Sequence, residues 1–185
     1  MAYRNGTYVA FHAGGTTDPT ATKSDIKYFN TLKMWHKNSD HQFRLIDSHE
    51  KTASVRDSSK KLTLETRLRE RLNNSKNMLL IVTGNTINDT DWVPFEIEHA
   101  VDSCRIPIIA AYPNYMTIKN PKKLGHYWPS ALKSRINNGQ ASVIHIPFKQ
   151  TAITDAIDQF GPDKKPAGGG LGYYSDSAYK SFGLL

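Results

Sequence analysis

Apolar and polar positions along the chain alternate between two periods. Five segments read as strands: Thr7 to His12, Phe43 to Asp47, Met78 to Val82, Ile106 to Tyr112 and Ser142 to Phe148. In Met78 to Val82 every apolar residue has apolar neighbours, the pattern of a strand covered on both faces. The segments between them carry apolar residues at helical spacing. Tyr28, Leu32 and Trp35, broadened by Phe29, mark a helix capped by Ser24-Asp25 and running to about Asn38. Leu64, Leu68 and Leu72 mark a second, which ends at Asn73-Asn74-Ser75. Ile97, Val101 and Cys104 mark a third, with Asp91 as its expected N-cap and Pro94 in its first turn. Ile153, Ala156 and Ile157 face inward on a last helix, Thr151 to Phe160. Strand and helix alternate, so the chain predicts an α/β fold: a doubly wound, flavodoxin-like, five-stranded parallel sheet with helices on both faces. The run Met78 to Val82 is expected near its centre.

Two stretches break the pattern. Pro113 to Gln140 reads as an irregular insert. From Gly161 the chain turns rich in glycine, proline and lysine, and Gly168-Gly169-Gly170 separates the last apolar helix from a weakly apolar end. The expected organisation is one domain over 1–160 and a flexible tail over 161–185, and removal of residues 163–185 is expected to leave the domain folded.

Composition narrows the function classes. The 185 residues hold 38% hydrophobic positions, sufficient for one core. No apolar run reaches the ~20 residues of a membrane helix, and the first residues lack the apolar centre of a signal peptide, so a cytoplasmic location is the expectation. The single cysteine, Cys104, forms no internal disulfide and falls on a helical stripe. The net charge of +7 permits an anionic ligand. The basic residues are dispersed, however: Arg67, Arg69 and Arg71 alternate with other residues as on a solvated helix face, and no nucleic-acid motif occurs. Asp47, His49 and Glu50 lie close together without metal-ligand spacing, so no metal is expected.

Candidate chemistry gathers where strands end. In an open α/β sheet the helices that follow strands begin at the carboxyl edge, where ligands bind. Glu96 stands near the start of the third helix, so its carboxylate is expected to face a cleft there. The alternative is a solvated acid that complements the helix dipole. After the first strand, Ala13-Gly14-Gly15-Thr16 allows close backbone approach to a ligand. It is neither a G-x-G-x-x-G fingerprint nor a P-loop.

The segment Asp91-Trp92-Val93-Pro94-Phe95-Glu96-Ile97 resembles the catalytic segment of TIR domains that cleave NAD, in which a Trp-x-x-x-Glu motif at this helix start supplies the catalytic glutamate. Together with Tyr8-Val9-Ala10-Phe11, Ser54 to Ser59, Leu68 to Ser75 and Met78 to Val82, it makes the chain similar, over about residues 7–160, to the TIR-like family that includes the TIR subunit of Thoeris antiphage systems. The resemblance implies a bacterial immune enzyme that breaks the nicotinamide–ribose bond of NAD and releases a cyclic ADP-ribose-type signal. It implies NAD as substrate rather than cofactor, a separate effector reached by the diffusible product, and a phage-derived trigger; self-association is an option. Glu96 is the catalytic carboxylate on this reading. Phe11, His12, Gly14, Gly15, Asp47 and Trp92 border the substrate, Trp92 more as a packing anchor than as a stacking surface. The competing reading is a non-catalytic TIR-like interaction module. A response-regulator phosphoacceptor would want acids where Phe11-His12-Ala13 stand, and a flavodoxin would want a better phosphate loop than Gly14-Gly15-Thr16-Thr17.

Overall fold

A computed structural model describes residues 4–38, 45–46 and 58–185. Strand β1 (Gly6–Ala10) is followed by helix α1 (Ile26–Asn38), β2 (Leu45–Ile46), α2 (Ser58–Asn73) and β3 (Ser75–Ile81). Then come α3 (Trp92–Glu98), β4 (Ile108–Tyr112), α4 (Ser130–Asn137), β5 (Val143–Pro147), α5 (Gln150–Gln159), β6 (Gly172–Tyr173) and α6 (Asp176–Ser181). All pairs are parallel, in the order β2-β1-β3-β4-β5-β6. The sheet is therefore α/β and flavodoxin-like as expected, with β3 inside it, but it has six strands instead of five. Phe43, Arg44 and Asp47, the rest of the expected second strand, lie outside the described residues, as do His49, Glu50 and the segment Ser54 to Asp57.

The continuous apolar runs are explained by two-sided burial. Successive β3 residues point to opposite faces. Met78 and Leu80 join Leu68, Leu72, Val93 and Ile97 on one side; Leu79 and Ile81 join Phe29, Leu32, Ile153 and Ile157 on the other. Ile97, Val101 and Cys104 are buried, as their spacing predicts. Beyond Glu98 the α3 helix continues as a π-helical turn, His99–Ser103, so the extra residue is taken up without exposing Val101. Helix α1 buries Ile26, Phe29 and Leu32, while Tyr28 and Trp35 are only half-buried at its edge, against Phe148. Among the described residues no helix is long and apolar enough to cross a membrane.

The insert is less irregular than expected. Its α4 helix buries Ala131, Leu132 and Ile136 against the α3 side of the core. The chain after Gly161 departs further from the expected flexible tail: its backbone adds β6 to the sheet beside β5. Tyr179 of α6 is fully buried, and its hydroxyl both accepts from the Ile118 N–H (3.1 Å) and donates to the Ile118 carbonyl (3.0 Å). Two of the glycines here, Gly170 and Gly172, serve close contact. A Cβ on Gly170 would stand 2.9 Å from Ile136 Cγ2, and one on Gly172 2.6 Å from the Ala167 carbonyl oxygen.

A buried polar chain joins β4, the insert, β5 and this C-terminal segment. Trp128 Nε1–H donates to the Tyr112 hydroxyl (2.8 Å), which lies 2.8 Å from His145 Nδ1, and His145 Nε2 lies 3.0 Å from the Gly170 carbonyl. A carbonyl only accepts, so Nε2 carries the proton and Nδ1 accepts from Tyr112. Burial pushes His145 down to about 4, against a smaller opposing pull from the Gly170 carbonyl. The neutral imidazole is thus favoured by folding. Its contribution is complete above the unfolded value near 6.5 and is lost as pH falls from there toward 4. The total is roughly 3 kcal/mol. Denaturant titrations at pH 7 and pH 4.5 should show a smaller acid loss for His145→Gln than for the wild type; equal losses would remove this histidine from the account.

Candidate active site

The chain moves from β1 outward to β2 and returns to β3 on the other side. The crevice outside the ends of β1 and β3 is the switch point at which such sheets bind ligands. Among the described residues, two loops supply polar groups there. Beyond β1, Phe11 is fully buried and stacked on Phe29, with ring centroids 4.8 Å apart, so it belongs to the core. His12 is the first side chain past the core: its Nδ1 donates to Asp89 Oδ2 at 2.9 Å. Gly14 and Gly15 both have positive φ, 62° and 68°. At Gly14 a Cβ would come within 2.5 Å of the Lys23 carbonyl oxygen, which demands glycine, whereas at Gly15 the space is open.

The β3–α3 loop faces this turn. Thr83 Oγ1 donates to both oxygens of Asp25 at 2.8 and 2.9 Å, Asn85 Nδ2 reaches Asp25 Oδ1 at 3.3 Å, and the Asp25 N–H donates to the His12 carbonyl (2.9 Å). Burial raises the Asp25 carboxyl above the usual range, although the Thr83 and Asn85 hydrogen bonds and the nearby His12 and Lys27 pull it down. Asp89 goes the other way. Burial would raise it, but the His12 hydrogen bond, the Val93 and Asp91 N–H groups and the His12 charge together hold it below the ordinary value.

Those N–H groups show what starts α3. The side chain of Asp91 makes no cap hydrogen bond. Asp89 Oδ1 accepts from the Val93 N–H (3.1 Å) and the Asp91 N–H (3.2 Å) instead, while Asp91 is an exposed partner of Lys61 at 2.9 Å. Asp91 is the N-cap by position, as expected, but the capping side chain is that of Asp89, which is better buried and already fixed by His12. Asp89→Ala should lower stability by about 1–2 kcal/mol, the worth of a helix cap, and Asp91→Ala by less than about 1. Urea titration of both variants checks the ranking, and a larger loss for Asp91→Ala would reverse it.

Trp92 is half-buried at the helix start, edge-on to Phe95 with centroids 6.3 Å apart, and the Lys61 ammonium lies 5.6 Å from its ring centre. This is the packing-anchor position. Glu96, one turn on, is fully buried, and the Tyr8 hydroxyl of β1 donates to its Oε1. Glu98, two residues further, is an exposed side chain 3.8 Å from Arg135. The two carboxylates thus face different surroundings, and Glu96 is not the solvated acid of the alternative reading. A carboxylate is costly to bury, and such groups concentrate at functional sites.

Of the residues expected to border a substrate, the structure gathers His12, Gly14 and Gly15 at the switch point, places Trp92 and Glu96 on the adjoining helix, and puts Phe11 in the core. Asp47 lies outside the described residues. Sequence reasoning missed Tyr8, Asp25, Thr83, Asn85 and Asp89, whose partners stand 58 to 88 positions away for Thr83–Asp25, Asn85–Asp25, Asp89–His12 and Tyr8–Glu96. The only local signal was Asp89, two residues before the expected cap. Among the described residues no group of three or more His, Cys, Asp or Glu could hold a metal ion. Beside the switch point, at the ends of β3 and β4, a cavity of about 360 Å³ is lined by Tyr28, Thr83, Gly84, Asn114, Tyr115 and Tyr127 among others.

The parallel α/β sheet agrees with a direct comparison: residues 8–118 match the model of the family described as Thoeris protein ThsB, TIR-like domain, and since that span exceeds half the chain, the protein belongs to this family.

Proposed function

We propose that this Thoeris-type TIR protein is an enzyme that cleaves NAD at the nicotinamide–ribose bond, with Glu96 as its catalytic carboxylate. The observation that carries the reading is the complete burial of Glu96, held by Tyr8 beside the switch point. When the C–N bond breaks, its electron pair leaves on nicotinamide, which departs neutral, so no strong general acid is needed. The ribose is left with oxocarbenium-like charge, and a fixed carboxylate in a low-dielectric pocket stabilises that charge. The cation is then captured either by water, with loss of a proton, or by a nucleophile on the adenosine end, which closes a cyclic ADP-ribose-type product. Cyclisation requires water to be kept out. The product carries the signal to a separate effector in a multi-component defence system.

Glu96 has no solvent exposure. A ribose meets it only after the surrounding side chains move, which fits an enzyme that stays silent until a phage-derived trigger opens the site. Purified protein should therefore be incubated with NAD in the presence and absence of lysate from phage-infected cells, and the mixture followed by mass spectrometry. Nicotinamide together with a product of NAD mass less nicotinamide is the expected result. Intact NAD under triggered conditions would favour the non-catalytic module.

A further inference from the structure

The cavity at the ends of β3 and β4 is not used by the chemistry at Glu96. Three of its walls are tyrosine rings from separate segments: Tyr28 from α1, and Tyr115 and Tyr127 from the insert. Each is braced. Tyr28 packs edge-on to Phe148 (5.4 Å between centroids) and Tyr115 edge-on to Tyr112 (6.1 Å). Tyr127 lies beside the His126 ring, with centroids 4.0 Å apart. The remaining lining comes from Val82, Thr83 and Gly84 and from the turn at Pro113 and Asn114. Asn114 has a φ of 66°, a conformation asparagine tolerates better than most residues. Its exposed side-chain amide offers one donor and one acceptor direction, the pair that reads a purine edge.

We propose that this cavity is a purine-binding subsite, which holds the adenine end of the dinucleotide while the nicotinamide ribose lies at Glu96. The proposal rests on the NAD-cleaving reading above. Aromatic rings take any base by stacking, and about 360 Å³ falls within the range of small-molecule sites. The distance also suits. Tyr8, which holds Glu96, pairs with Met78 across β1 and β3. Val82, at the cavity, stands four residues nearer the carboxyl edge, about 13 Å along the strand, and the cavity lies one to two strand spacings, roughly 5–10 Å, to the side. An extended dinucleotide covers that span. Capture in this form precedes any folding back of the adenosine end, so the subsite acts on substrate affinity rather than on bond cleavage.

The test has two arms. In the first, adenosine monophosphate is titrated into the full chain by NMR. Wild type and Glu96→Gln should bind it alike, Tyr115→Ala should bind roughly ten-fold or more weakly, and Tyr115→Phe, which keeps the ring, should stay within a few-fold. In the second, nicotinamide release is compared for NAD and for nicotinamide mononucleotide, which lacks the adenosine half. The preference for NAD should fall by about the same factor in Tyr115→Ala, through KM rather than kcat. No binding of adenosine monophosphate to the wild type, or wild-type binding and NAD preference in Tyr115→Ala, would overturn the subsite while leaving Glu96 as the catalytic group. Binding that Tyr115→Ala abolishes, in a chain that cleaves no NAD even when triggered, would keep a purine site and remove the catalytic reading instead.

Discussion

A chain ending at Pro162 should lose its thermal midpoint by 10 °C or more, or fail to fold cooperatively. The segment removed carries β6, which pairs with β5, and Tyr174, Tyr179 and Phe182, which pack together on the α5 side of the core. Truncation strips a strand from the sheet and leaves the buried His145 Nε2–H and the Ile118 backbone without the partners that Gly170 and Tyr179 supply. An unpartnered buried polar group costs about 1–3 kcal/mol, and a buried aromatic ring returns about 1.5–3 kcal/mol. The ordering entropy of the segment offsets much of the gross sum. A net loss of about 3–4 kcal/mol is enough for the stated shift in a chain of this size. Calorimetry on the two chains measures it. An unchanged midpoint would show that the C-terminal segment is dispensable to the core.

This expectation reverses the one drawn from composition, and the reason is physical. Glycine permits two opposite things, a flexible backbone and the close approach of packed chains. Gly168-Gly169-Gly170 and Gly172 look like a linker, yet Gly170 lies against Ile136 and Gly172 between Ala167 and Val143, where a Cβ would collide. The better local signal was Tyr179 followed by Phe182 at helical spacing, with Ser175 accepting from the Ala178 N–H as the cap of α6. Likewise Leu132 and Ile136, after Pro129-Ser130, carried the i, i+4 mark of α4 inside the supposedly irregular insert. The central strand was legible because burial on both faces leaves a continuous apolar run. The place of Glu96 on the helix after the central strand was legible, but its complete burial was not, since the sequence put its carboxylate at a cleft. Its partner Tyr8, and the Asp25–Thr83 and His12–Asp89 pairs, were not, because such contacts arise only when the sheet brings distant loops to one edge.

Glu96→Gln should reduce triggered NAD cleavage about a hundred- to a thousand-fold. Glutamine keeps the size of glutamate and can still accept the Tyr8 hydroxyl through its amide oxygen. What disappears is the negative charge that the proposed mechanism sets against the ribosyl cation. In a buried site one such well-aimed group is worth about 3–4 kcal/mol of barrier. Glu98→Gln is the matched control: it removes the same charge from the same helix, but from an exposed side chain near Arg135. Its turnover should stay within a few-fold of wild type.

The most direct measurement is nicotinamide release from NAD by wild type, Glu96→Gln and Glu98→Gln in parallel, at matched concentration, under triggered conditions, with circular dichroism confirming that each variant is folded. Catalysis by the buried carboxylate predicts turnover in wild type and Glu98→Gln and a folded Glu96→Gln at least a hundred-fold slower. A folded Glu96→Gln that releases nicotinamide at the wild-type rate would contradict it.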